Sequence, residues 1–185
     1  ALVCIACQDI QQKEAVYLHI AHTRGLENPH MDSLVEQLDF EVYDMLWLGG
    51  DMAWRSSREE ETMQHLQQFF QLEKPSTLWA LGNHDYSNLN RIEDYTNRPA
   101  YYHQYQHGIN FLVLDTQDSL SNIVGNQLDL VNSVLDTIQD APYLVLLHHK
   151  LIWMYDHPEL DTLIDQVCNG VAGNCFHCTN PNNFY

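Results

Sequence analysis

Leu78-Trp79-Ala80-Leu81-Gly82-Asn83-His84-Asp85 is the stretch that decides how this chain is read. Four apolar residues in a row, with Thr77 before them, predict a buried strand. Gly82 permits a sharp turn where that strand ends. Asn83, His84 and Asp85 are then delivered together where strand becomes loop. An amide oxygen, an imidazole and a carboxylate offer a metal ligand, a general acid or base, and a group to orient it. Alone, the triplet would read as a polar turn, but the pattern repeats. Leu46-Trp47-Leu48-Gly49-Gly50-Asp51 is a second apolar run ending in glycine and a carboxylate. Leu144-Val145-Leu146-Leu147-His148-His149 is a third, ending in two imidazoles. In open α/β sheets, sites form outside the C-terminal ends of the strands.

The 185 residues suffice for one domain with a sizeable core, and 45% hydrophobic residues mark it as globular rather than disordered. Eight Lys and Arg against 25 Asp and Glu give a formal charge of -17, which argues against broad nucleic-acid binding. No apolar run reaches the ~20 residues that span a bilayer. Cysteines occur only near the two ends, at Cys4, Cys7, Cys168, Cys175 and Cys178. The start, Ala1 to Cys7, is apolar with small residues before a cysteine, and a polar run follows it. Residues 1–14 therefore read either as the tail of a bacterial lipoprotein signal, with a lipid on Cys7 and a tether after it, or as a first strand and turn. The lipoprotein reading places the protein outside the cytoplasm, in a bacterial periplasm or at the cell surface. Near the other end, Cys168, Cys175, His177 and Cys178 offer either a disulfide or a tight zinc site.

Between the apolar runs the periodicity turns helical. Val16 to Ala21 predicts a first strand, ending in His22-Thr23-Arg24-Gly25. Asn28-Pro29 predicts a helix start, with Met31, Leu34, Val35 and Leu38 on one face. Ser56-Ser57 predicts the cap of a helix from about Arg58 to Leu72. A short helix is expected near Leu89 to Tyr95. A hairpin is expected from Tyr101 to Leu114, turning near Gly108 and Asn110. A helix opening at Gly125 should turn Leu128, Val131, Val134, Leu135 and Ile138 inward.

Gly50-Asp51, Gly82-Asn83-His84-Asp85 and His148-His149, in this order with helical stretches between, resemble the calcineurin-like metallophosphoesterase superfamily. The resemblance runs from about Val16 to about Pro158. It implies an α/β fold, a sandwich of two mixed β-sheets flanked by helices, over residues 15–185. It also implies two divalent or trivalent metal ions, of Mn, Fe or Zn type, and a small phosphoester substrate. Asp51 would bridge the ions, Asn83 and His148 would hold the second, and His22 would help hold the first. The ions would clamp the phosphate and activate a water. His84 would protonate the leaving oxygen, with Asp85 orienting its ring and His149 in supporting contacts.

Two departures stand out. The first strand of the superfamily ends in Asp-x-His, and here His22 and Arg24 take those positions. Imidazole can replace a carboxylate as a ligand, but a guanidinium has no lone pair to give. Either the first ion has fewer ligands, or Arg24 replaces a cation and contacts the phosphate itself. The last motif of the superfamily, Gly-His-x-His, is absent, so the expectation is a domain that lacks its last strands. The first reading is thus a metal-dependent hydrolase of a phosphomonoester or phosphodiester. Its rival from another class is a non-catalytic binding module on the same scaffold. A nuclease is disfavoured by the acidic charge.

Overall fold

Alternation along each strand decides which layer a side chain joins. The computed structural model describes residues 14–138, 143–150 and 152. In β2 (Met45–Leu48), Leu46 and Leu48 enter one apolar cluster, while Met45 and Trp47 enter another. In β3 (Thr77–Trp79), Trp79 joins the first cluster and Leu78 the second. β1 (Tyr17–Ile20) and β3 flank β2, both parallel to it, in a sheet ordered β1-β2-β3. Parallel neighbours need long crossovers, and the crossover from β2 to β3 carries α1 (Glu60–Phe70). Met63, Leu66 and Phe70 of α1, with Ile92 of α2 (Leu89–Thr96), cover one face of this sheet.

The second sheet is ordered β4-β5-β6. β4 (Tyr102–Gln106) and β5 (Ile109–Val113) form the expected antiparallel hairpin, and β6 (Tyr143–Leu147) runs parallel to β5. Phe111, Val113 and Leu147 meet Met45, Leu78 and Ala80 between the sheets. The Trp47 and Phe111 rings bridge the gap edge to face, 5.3 Å apart. Leu112 and Leu114 turn the other way, onto Val134 of α3 (Gly125–Thr137). The layers are therefore helices, sheet, sheet, helix. The sandwich agrees with expectation, but only the second sheet is mixed; the described strands of the first are all parallel.

Three local expectations are corrected. No helix opens at Asn28-Pro29. Two short 3-10 turns, Val35–Gln37 and Phe40–Val42, stand there instead, and Leu34 and Leu38 are exposed. Asp32 and Asp39 accept hydrogen bonds from the nearby Leu34 and Glu41 N–H groups, a local alternative to helical pairing. Ser56 and Ser57 do not cap α1, because both hydroxyls donate to Asp85. In α3, Leu128 and Leu135 face outward, and the buried polar residue Gln127 takes an inward place. Gln127 belongs there because its amide spans both backbone groups of Asp115. Cys4, Cys7, Cys168, Cys175, His177 and Cys178 lie outside the described residues.

Candidate metal centre

Strand ends from both sheets deliver the site. β1 runs into His22 and Arg24, β2 into Asp51, β3 into the 82–85 loop, and β6 into His148 and His149. Sharp turns are needed to bring them together, and the backbone shows it. His22 and Asp51 both adopt left-handed φ, at 53° and 58°. Such values are uncommon outside glycine and collect at functional sites. Two glycines make the approach close enough. A Cβ on Gly50 would meet His149 Nδ1 at 2.5 Å and Gly82 N at 2.6 Å. One on Gly82 would collide with Asp51 Oδ1 and meet His149 Cε1 at 2.8 Å.

Asp51 is the centre of the cluster, its side chain 2% exposed. Its Oδ2 accepts a hydrogen bond from Arg24 Nη1 at 2.6 Å and lies 3.5 Å from His22 Nδ1. Its Oδ1 accepts the His84 backbone N–H at 2.9 Å and lies 3.7 Å from His149 Nε2. Burial pushes its carboxyl up. The hydrogen bonds from His22 and the His84 N–H, with the neighbouring imidazoles, outweigh that and hold it below its ordinary value.

His149 is enclosed, its side chain 0% exposed. Its Nδ1 lies 2.7 Å from the Gly49 carbonyl. A carbonyl only accepts, so Nδ1 carries the proton and the neutral ring keeps its lone pair on Nε2. Burial lowers the pKa of this ring, which favours that neutral form. Yet, among the described residues, Nε2 is buried without a hydrogen-bond partner and faces a carboxylate. A lone pair turned toward a carboxylate is repulsive unless a cation lies between them. The ligand atoms of His22, Asp51 and His149 all fall within 4.8 Å of one another. Two imidazoles and a carboxylate fit zinc or a similar ion. The Gly49 carbonyl then does what outer partners of metal-ligating histidines commonly do, fixing tautomer and ring orientation.

The expectation from sequence is that His148 points here, but the ring that joins the converging group is that of His149. His148 turns its Nδ1–H to the Lys150 carbonyl at 2.7 Å and is not part of the converging group. The reason is strand parity. Val145 and Leu147 face the gap between the sheets, and the next residue of the same parity is His149. Asn83, in the same turn as His84 and Asp85, is exposed.

Asp85 is also reassigned. Its side chain does not touch the His84 ring. The carboxylate is fully buried and accepts from the backbone N–H groups of Asp51 at 2.7 Å, Gly82 at 2.8 Å and Met52 at 3.1 Å. Trp79 Nε1 at 3.3 Å and the Ser56 hydroxyl complete the set. Burial raises its carboxyl above the ordinary range, and these donors oppose the rise. Asp85 thus ties the loops after β2 and β3 together. The His84 ring is oriented instead by the Trp54 carbonyl, 2.6 Å from Nδ1, and packs on the Trp54 ring at 5.0 Å. That leaves His84 Nε2 turned toward Asp51, 4.0 Å from its Oδ2. Trp54 also carries the Arg24 guanidinium, 5.7 Å from its ring centre, so it touches two side chains of the site. No sequence pattern marks a backbone carbonyl as an orienting group, so the contact of the Trp54 carbonyl with His84 was not legible in the sequence.

A comparison with curated proteins finds no match. The sequence model of the calcineurin-like phosphoesterase family matches residues 19–170, which include every member of this cluster, and the chain belongs to that family.

Proposed function

We propose that this chain hydrolyses a phosphomonoester or phosphodiester with a cation held by His22, Asp51 and His149, and with His84 as general acid. The observation that carries the reading is the buried His149 Nε2, unpartnered among the described residues and facing Asp51. A bound cation would supply Lewis acidity and lower the pKa of water in the cleft. The chain's own side chains do the rest. Arg24 is held over Trp54 beside Asp51, where its planar fork can grip phosphate oxygens. We read its charge as standing in for the second ion of the superfamily. His84 keeps one proton on Nδ1 for the Trp54 carbonyl. In the imidazolium its other proton is on Nε2, and this one passes to the leaving oxygen. Asp85 keeps Asp51 and Gly82 in register and transfers no proton.

The short Arg24–Asp51 pair also favours a second reading, a phosphate-binding module in which Arg24 is held by Asp51 and no turnover occurs. Elemental analysis of bound metal, with hydrolysis of an aryl phosphate monoester and diester, separates the two. Under the first reading His84→Ala keeps its metal while turnover falls by about 10²–10⁴. Full activity in His84→Ala would remove the acid assignment. Metal-loaded wild type without turnover would support the binding module.

A further inference from the structure

A second group of metal-type side chains lies away from the centre just described. Glu36 is in the turn Val35–Gln37, His65 is in α1, and His30 precedes the Met31 bridge. One ligand atom from each falls within 4.8 Å of the others. His65 Nε2 is 2.6 Å from Glu36 Oε1, and His30 Nδ1 is 3.4 Å from the same oxygen. The two rings meet edge to face, 5.0 Å apart.

The group is held from outside itself. The Met31 N–H donates to Glu36 Oε1 at 2.9 Å, which fixes the carboxylate without help from either histidine. His65 leans on Phe69, with ring centres 5.0 Å apart. Burial pushes the Glu36 carboxyl up, but hydrogen bonds from His65 and Met31 prevail and keep it below its ordinary value. His65 and Glu36 are mostly covered, whereas His30 is 64% exposed, so the group opens to solvent on one side.

We propose that His30, Glu36 and His65 form a second metal site, taking zinc or a similar divalent ion with water in the open position. Two imidazoles and one carboxylate are a known donor set for zinc with an open fourth place. Around a tetrahedral ion at ~2.0–2.1 Å, ligand atoms sit roughly 3.3–3.4 Å apart. His30 and Glu36 already stand at 3.4 Å. The His65–Glu36 pair, now 2.6 Å apart, must open by somewhat less than an ångström.

The ion would have a positioning effect. The His30 carbonyl accepts the Gly25 N–H at 3.2 Å, the Asp32 N–H donates to the Thr23 carbonyl at 2.7 Å, and Met31 pairs with Arg24. Binding there would pin the segment that carries His22 and Arg24 onto α1.

The test is subtractive, so other zinc-binding groups on the chain do not confuse it. Full-length His149→Ala and His149→Ala/Glu36→Gln are stripped with chelator and titrated with zinc alone. The proposal expects the second protein to bind one zinc fewer per chain, and His149→Ala/His65→Ala to match it. Glu36→Gln keeps shape and size, so its loss of zinc is not a loss of fold, and circular dichroism checks this. Cobalt(II) in the same proteins should lose a tetrahedral visible band in step with the zinc. Equal zinc in the single and both double variants would overturn the proposal. So would a cobalt spectrum indifferent to Glu36 and His65.

Discussion

Replace Asp85 with alanine, and the damage should appear in stability before it appears in chemistry. The substitution removes the acceptor for three buried backbone N–H groups, those of Asp51, Met52 and Gly82. The Trp79 indole and the Ser56 hydroxyl lose it too, although Ser56 has the Ala53 carbonyl in reach. A buried donor left without a partner costs about 1–3 kcal/mol. The three amides alone therefore put the loss at roughly 3–9 kcal/mol, against about 5–15 kcal/mol for the whole of a typical domain. Asparagine should be milder. Its oxygen can keep the Oδ2 position, with Asp51, Gly82 and Trp79, while its NH₂ faces Ser56, whose hydroxyl can turn to accept. Only the Met52 N–H is then opposed, a cost of about 1–3 kcal/mol. Urea unfolding of chelated protein, followed by circular dichroism and tryptophan fluorescence, reads both, provided the slope with denaturant stays constant. An Asp85→Ala protein within about 1 kcal/mol of wild type would refute the reasoning. An Asp85→Asn protein of wild-type stability but without turnover would return Asp85 to a role in orienting the acid.

Gly82→Ala should cost about 1–3 kcal/mol and lose the metal, since its Cβ would collide with Asp51 and His149; a metal titration beside the unfolding curve checks both. Arg24→Gln should raise KM for an aryl phosphate by roughly tenfold or more at unchanged metal content, the loss of a charge-assisted contact; an unchanged KM would leave Arg24 as a partner of Asp51 only. Burial lowers the His149 pKa in the folded chain. The stability from its neutral ring is complete above the unfolded value of about 6.5 and is lost as pH falls through the folded value. The stability difference between metal-free wild type and His149→Gln should therefore shrink from pH 7 to pH 5, and a constant difference would exclude the burial effect.

The strands were legible because their apolar runs are short, bounded by glycine, and end in unlike polar residues. The same runs placed Asp51, His22 and His84 at one edge of the molecule, where the structure brings them together. Choosing between His148 and His149 needed one more step. The facing of Val145 and Leu147 decides it, and in a continuous apolar run such as Leu144 to Leu147 the sequence does not say which face is which. The segment after β1 misled for another reason. Its apolar residues fit a helical period, yet side chains such as Asp32 and Asp39 satisfy the backbone locally. Asp85 sits beside His84 in sequence, and adjacency suggested partnership. Tight turns send neighbouring side chains in opposite directions, and Asp85 went to the buried amides.

The centre draws His22 and Asp51 from the first sheet and His149 from the end of β6, far along the chain. A ribosome delivers these pieces in that order. While β6 is still unmade, the first sheet can pair and α1 can dock, but the proposed cation site lacks its enclosed histidine. Contacts of such long sequence separation form late and slowly. Metal capture would then be a closing event in biogenesis, able to report that the two halves have met. A chain stalled short of β6 would still have Arg24 on Asp51, an internal counter-ion that offsets the charge of the carboxylate until a metal arrives.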